Sequence, residues 1–442
     1  MEPRIIERAE HPISRRNIDS NVLRILYRLA NAGHVAYLVG GSVRDLMLGR
    51  RPKDFDVATS AHPQQVRELF RNSRMIGRRF KLVHVFFGPH NIEVATFRRQ
   101  AEAVAESEDP LIRIDNTFGT AEEDAFRRDF TVNALFYDPQ TFQVIDYAGG
   151  VDDLNARLIR TIGDPELRMR EDPVRMMRAV RFAAKLGFGI EPATRAAMER
   201  HHADLLKSSV PRLVEETYRT LGQVEAARAL VLLTELGLLE LMLPFLFEHV
   251  RSTPEGFTHA PTTRNLAALG RALASGEQPG HATILAALFL DFRRVTESRD
   301  GHLSGLGARF DLLAELRARG FARGDTEHMR LLLDGFELCA TPSRRTRRLM
   351  RRPYFADARA LFEMLAPTYE LDIAPLARLV ADPEGFFNPQ PQLPANGQPR
   401  PGKRRRRRRR RRGHSRSAMH AAAPADAARD GAAAPHESLP AP

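Results

Sequence analysis

The stretch Leu38-Val39-Gly40-Gly41-Ser42-Val43-Arg44-Asp45 constrains this chain more than any other. A β-prone run ends in a two-glycine turn, and a helix over Ser42–Leu48 follows, stopped by Gly49. Soon after comes Lys53-Asp54-Phe55-Asp56, opening a strand over Phe55–Thr59. Strand residues two apart share a face, so Asp54 and Asp56 point one way and Phe55 packs the other. Two carboxylates that close repel unless a cation sits between them. Such hard oxygen donors suit Mg²⁺ held together with substrate phosphates. The Gly40-Gly41 turn offers backbone N–H groups at a helix start, which is an anion site, and Arg44 lies one turn further in. Each motif alone is commoner as an ordinary turn or a solvated strand. Together they equip a chain for nucleotidyl transfer, in which metal ions activate a 3′-hydroxyl and steady a leaving pyrophosphate.

A length of 442 residues predicts two to three domains, and 43% hydrophobic content suffices for packed cores. The single cysteine, Cys339, excludes a disulfide framework and a cysteine-based zinc site. Residues 1–10 carry acids and arginines without an apolar core, so no signal peptide is expected and the compartment reads as cytoplasmic. The most apolar run, Ala229–Phe247, is broken by Glu235, Glu240 and Pro244 and reads as a buried helical hairpin, not a membrane span. The net charge is +12, of which residues 400–442 hold +10, leaving +2 for the rest. The body is nearly neutral and its tail is a polycation.

The expected fold class is α+β. A helical extension over 1–34, entered at Ser14 or Asp19–Ser20, precedes a head of small mixed sheet and helices over 35–160. Its strands are read over Val35–Val39, Phe55–Thr59, Phe80–Phe87, Asn91–Arg98 and Val144–Tyr147, with a hairpin turn at Gly88–Asn91. Its further helices are read over His62–Arg71, Glu122–Tyr137 and Val151–Arg157, with a mobile loop at 99–118. No strand is expected from 165 to 385, where apolar residues recur at helical spacing, as a neck over 161–225 and a body over 226–385. Residues 386–442 are proline-rich, then carry Lys403 and nine arginines, Arg404–Arg412. That composition predicts a disordered basic tail.

Gly40-Gly41-Ser42-Val43-Arg44-Asp45 with Asp54-Phe55-Asp56 resembles the head of the class II nucleotidyltransferases. These DNA polymerase β-like enzymes include bacterial poly(A) polymerase I and the tRNA CCA-adding enzymes. The resemblance runs through 11–220 and weakly to about 370, with the motifs in the family's order. It implies template-independent AMP transfer from ATP to RNA 3′ ends, as in poly(A) tailing and mRNA turnover, with addition of CCA or A to tRNA as the alternative. Gly40, Gly41 and Arg44 are then expected at the triphosphate, and Asp54 and Asp56 at two Mg²⁺ ions. In Arg127-Arg128-Asp129-Phe130-Thr131, the resemblance makes Asp129 the third acid and Arg128 a nucleotide contact. Glu93 on a neighbouring strand is the rival for that third carboxylate.

Glu171-Asp172-Pro173-Val174-Arg175 opens a helix with Asp172 as its cap, and Arg175, Arg178 and Arg181 form a drifting stripe on one face. A capped amphipathic helix explains Asp172 but not three guanidinium groups in register, whose planar forks suit a base edge or a triphosphate. The resemblance assigns base selection to Asp172 and Arg175, with Arg178 and Arg181 as further nucleotide contacts. Arg78–Val85, Ile13–Ile18 and Asp115–Thr120 sit closer to the poly(A) polymerases than to the CCA-adding enzymes, and His84 reads as a packed histidine. The polyarginine tail binds nucleic acid through counterion release, without sequence reading. Arg344–Arg352 is a second basic patch, read as part of an RNA track or as a solvated face. Expected partners are RNA 3′ ends, ATP and RNA-degradation machinery, for a monomeric chain. A non-catalytic RNA binder would leave the uncompensated acidic pair unexplained, and a DNA-binding protein with a basic tail would leave all the head motifs so.

Overall fold

The computed structural model describes residues 2–77, 82–99, 118–254, 256–297 and 310–387. The chain divides into two units, 1–388 and 389–442, and every described residue belongs to the first. The readings made at Arg78–Lys81, over most of the 99–118 loop, at Asp115–Thr117 and along the basic tail therefore lie outside the described residues.

The head is one eight-stranded mixed sheet. Its strands are β1 (Arg4–Ile6), β2 (Ala36–Val39), β3 (Asp56–Thr59), β4 (Ser73–Ile76), β5 (Leu82–Phe87), β6 (His90–Thr96), β7 (Leu135–Tyr137) and β8 (Val144–Asp146), in the spatial order β1-β8-β7-β2-β3-β6-β5-β4. Only the β3–β6 pair is parallel. Its helices are α1 (Ser20–Asn31), α2 (Gly41–Met47), α3 (Pro63–Leu69), α4 (Ala121–Phe126) and α5 (Gly150–Ala156). Helix α1 begins where the Asp19 side chain accepts the Asn21 N–H, while Ser14 caps a separate 3₁₀ turn. Val22, Ile25, Leu26 and Leu29 of α1 are buried in the main core with Leu38, Val57, Val83 and Val94 of the sheet.

The period of two turns the alternate residues to the opposite face. One register row there runs Arg74, His84, Glu93, Asp56, Val39, Phe136, Ile145 and Ile5 across all eight strands. Val39, Phe136 and Ile145 of the row pack into a small second core with Ala58, Phe97 and Ala125, while Ile5 at the sheet edge is exposed. Of its charged half, Asp56 lines a cleft.

The neck and body are helical. They comprise α6 (Pro165–Glu171), α7 (Val174–Leu186), α8 (Pro192–His201), α9 (Val210–Leu221), α10 (Ala226–Glu235), α11 (Leu238–Met242), α12 (Pro244–Arg251), α13 (Pro261–Ala274), α14 (His281–Glu297), α15 (Leu312–Ala318), α16 (Arg323–Ala340), α17 (Arg344–Leu349), α18 (Phe355–Leu365) and α19 (Ala374–Ala381). Two-residue strands β9 (Leu158–Ile159) and β10 (Gly189–Ile190) pair in parallel and tie the head to the neck, so the neck is not wholly free of strand. The hairpin read over Ala229–Phe247 is three short helices, because Gly237 takes φ +69° and Pro244 starts a new one. Among the described residues no helix is long and apolar enough to cross a membrane.

Two further readings fail: the extension over 1–34 is not wholly helical, because Arg4–Ile6 joins the head sheet beside β8, and one expected helix is cut short. The helix expected over Glu122–Tyr137 stops at Phe126, and the segment continues as a turn, a 3₁₀ turn at Thr131–Asn133 and strand β7. Buried Asp124 accepts hydrogen bonds from both Arg127 and Arg128, which folds the chain back after α4. Leu135-Phe136-Tyr137 is then fully buried between β2 and β8, where aromatic and branched side chains favour a strand.

Candidate active site

A cleft of about 570 Å³ opens between the neck and the part of the head that carries the Gly40-Gly41 turn and Asp56. The head contributes Gly40, Gly41, Ser42, Arg44, Lys53, Asp54, Asp56, Arg128, Asp129 and Asn133, and the neck contributes Asp172, Arg175, Arg178, Phe182, Lys185 and Arg212. The structure thus brings together every residue singled out for nucleotide contact or catalysis except Arg181 and the rival acid Glu93.

The geometry of α7 explains the first exception. At 3.6 residues per turn, a step of three falls about 60° short of a full turn, so Arg181 rotates out of line. It pairs instead with Glu216 of α9 at 2.5 Å. The residues that share the cleft face are Arg175, Arg178, Phe182 and Lys185.

Gly40 ends β2 with φ +72° and ψ −134°, a backbone region open only to glycine, and a Cβ there would lie 3.0 Å from Arg128 Nη1. The following N–H groups of the α2 first turn have no intrahelical acceptor. Arg44 is buried beneath them. Its Nε and Nη2 donate to Asp45 Oδ1 at 2.8 and 2.7 Å, and its Nη1 donates to Asn133 Oδ1 at 2.5 Å. Its charge lies under the turn, with its donors engaged by the protein's own side chains.

Asp56 faces Glu93 in the β3–β6 register, and Glu93 faces His84, with Nε2 and Oε1 3.4 Å apart. Asp54 and Asp56 are open to solvent and Phe55 packs against the core, but β3 begins only at Asp56, so Asp54 and Phe55 stand before the strand rather than on it as expected. Protein nonetheless surrounds Asp56 closely enough to push its pKa up to about 6. Lost hydration is the main cause, then the Glu93 carboxylate, with Asp54 adding to the rise and Arg128 opposing it. Among the described residues no group of three His, Cys, Asp or Glu side chains is assembled around one ion position.

Asp129 lines the same cleft in a different state. Its Oδ1 accepts from the Phe130 N–H at 2.8 Å and from Asn133 Nδ2 at 3.1 Å, and its Oδ2 accepts from Arg178 Nε and Nη2 at 2.8 and 2.5 Å. Burial would raise its pKa, but Arg178 and these hydrogen bonds hold it below the usual carboxylate range. Asp172 does not cap α7 with its side chain. Its Oδ2 accepts from Arg212 Nη2 of α9 at 2.8 Å, while its buried Oδ1 has no hydrogen-bond partner. Arg175 donates to the Arg168 carbonyl at 2.7 Å and to Glu171 at 3.3 Å.

Lys185 was within reach of the sequence, lying seven residues after Arg178 on the same helix, whereas Asn133 follows a turn that local spacing does not predict. Nor was Arg212 within reach, because it meets Asp172 across 40 positions.

Comparison with known proteins follows this geometry. Residues 36–160 match the family model described as "Poly A polymerase head domain", and residues 187–249 match "Probable RNA and SrmB- binding site of polymerase A". The chain is 51% identical over 248 residues to "Poly(A) polymerase I" of Escherichia coli O6:H1, covering 54% of this chain and 53% of the relative. It is 40% identical over 293 residues to "Poly(A) polymerase I" of Haemophilus influenzae, covering 64% and 65%. The match to the E. coli protein thus spans about half of that relative's length. Among solved structures, the Bacillus stearothermophilus CCA-adding enzyme in complex with CTP aligns with TM-score 0.59 and 30% identity over 82% of each chain.

Proposed function

We propose a function from one premise: the chain belongs to the nucleotidyltransferase family that contains the poly(A) polymerases and the tRNA CCA-adding enzymes. In our reading it is a template-independent polynucleotide adenylyltransferase. AMP passes from ATP to an RNA 3′-hydroxyl. The O3′–Pα bond forms, the bond from Pα to the bridging oxygen breaks, pyrophosphate leaves and the hydroxyl proton goes to solvent. Tailing of this kind marks RNA for turnover. The supporting observation is the cleft, which faces a carboxylate pair with a wall of guanidinium groups and a half-buried Asp172.

The donor set fits Mg²⁺. Asp54 and Asp56 supply hard oxygens; burial does most to raise the Asp56 pKa, and the Glu93 and Asp54 carboxylates add a repulsion that a cation would relieve. We assign Glu93, opposite Asp56 in register, as the third carboxylate, because both oxygens of Asp129 are already engaged within the protein. Mg²⁺ bound there would activate the attacking hydroxyl and offset charge on the departing pyrophosphate. The α2 first turn with Gly40 and Gly41, Lys53, Arg128 and Lys185 receive the triphosphate. Asp129 holds Arg178 in place for it. Asp172 Oδ1, held by Arg212, accepts from an exocyclic amino group of the base. Adenine and cytosine both carry that group, and this observation keeps CCA addition as the second reading.

Two experiments test this. Purified protein with Mg²⁺ is given a labelled 3′-hydroxyl RNA and ATP, and separately a tRNA lacking its CCA end with ATP and CTP. A long ladder on generic RNA with ATP alone is expected. Addition confined to the tRNA, stopping once its end is complete, would replace this reading with the second. Apparent Mn²⁺ affinity is also expected to fall about tenfold from about pH 7 to about pH 5, as Asp56 protonates through its pKa of about 6. A flat profile would remove Asp56 from the metal site.

A further inference from the structure

The cleft leaves one strongly charged surface unused. Six arginines stand within Arg344–Arg352, and no acid occurs between Glu337 and Asp357. The fold does not need these side chains. Helix α17 is anchored by Thr346, whose buried hydroxyl donates to the Leu338 carbonyl at 2.7 Å, and by buried Leu349. Arg347 pairs with Glu384 at 2.7 Å. Arg344, Arg345, Arg348, Arg351 and Arg352 are exposed and have no ion-pair partner among the described residues. Like charges at i,i+3 and i,i+4 destabilise the helix that carries them. Two residues beyond Glu384, the half-buried rings of Phe386 and Phe387 pack at 5.1 Å, beside the same patch. Cations that neutralise phosphates beside rings that stack bases are the equipment of single-strand binding. An acidic protein would use the cations and leave the rings without a role.

We infer that the α17 surface, Arg344, Arg345, Arg348, Arg351 and Arg352 with Phe386 and Phe387, binds the backbone of single-stranded RNA away from its reacting end. This rests on the proposed function for the identity of the nucleic acid. The packed helices α7, α9, α14, α16 and α17 separate the cleft from the patch. At roughly 8–10 Å per packing step, the two are about 30–40 Å apart along that path. The patch therefore meets the body of the RNA and reads no sequence.

The test uses the full chain with Arg344, Arg345, Arg348 and Arg352 all changed to Gln, and a second variant with Lys at the same positions. Binding of a long single-stranded RNA is titrated against salt. The Gln variant is expected to show a plot of log affinity against log salt shallower by about 3, near 0.7 for each phosphate no longer neutralised, and the Lys variant to restore the slope. AMP transfer to an RNA too short to span both sites is expected at the wild-type rate. If the Gln variant misfolds, Arg351→Gln/Arg352→Gln, beyond the end of α17, carries the test with about half the change. A slope and affinity equal to wild type would overturn the inference. So would an unchanged RNA affinity with lost binding to an acidic protein. A chain that binds RNA through the patch but transfers no nucleotide would overturn the proposed function and leave the patch standing.

Discussion

Changing Asp56 to Asn is expected to lower AMP transfer about a thousandfold and, at neutral pH without metal, to make the protein more stable. The first effect follows from losing one anionic ligand of a metal-assisted displacement, on the order of 4 kcal/mol in the barrier. The second follows from the sign of the shift. The pKa of Asp56 is raised from 3.8 to about 6 in the folded chain. Above pH 6 the ionised carboxylate therefore penalises the native state, and the penalty is relieved as pH falls toward the unfolded value. The amide removes that penalty at neutral pH. Transfer assays and metal-free thermal denaturation measure the two effects. An inactive variant that is also less stable would make Asp56 a structural residue, and an active one would remove it from the chemistry.

Changing Asp129 to Ala is expected to cost about 3 kcal/mol of stability, because Arg178 is left in a partly buried site without its counter-charge. Arg178→Ala strands Asp129 in the same way. The double variant should recover part of the loss, since the two carboxylate–guanidinium hydrogen bonds form one unit. Chemical denaturation of the four proteins gives the coupling. Mn²⁺ affinity separates this positioning role from metal ligation: it should hold in the double variant while the KM for ATP rises. Loss of Mn²⁺ binding there would make Asp129 a ligand and displace Glu93.

The parts of the site that could be read from sequence are local. Gly40 encodes its turn through a positive φ that only glycine tolerates cheaply, and Asp54-Phe55-Asp56 bring two carboxylates together within three residues at the start of β3. The helical body was legible for the same reason, since its apolar spacing is an internal rhythm. Leu135-Phe136-Tyr137 was misread because it follows a helix-forming acidic run, and only its place between β2 and β8 makes it a strand.

The chemistry turns on pairings no local rule predicts. Glu93 meets Asp56 because β6 lies parallel to β3, Arg178 takes Asp129 across 49 positions, and Arg212 rather than α7 takes the Asp172 side chain. A carboxylate's role depends on which charge is nearest in space. By sequence Asp129 and Asp56 are alike, an acid beside a phenylalanine. Helix docking gave Asp129 an arginine that holds it below the ordinary acid range despite its burial, whereas Asp56 lies above that range through lost hydration first and the Glu93 carboxylate opposite it second. Local order along the chain sets which groups are present and how most backbone segments turn. Which carboxylate a guanidinium neutralises, and which stands beside other acids, depends on contacts between segments far apart in the chain, so it emerges only on folding.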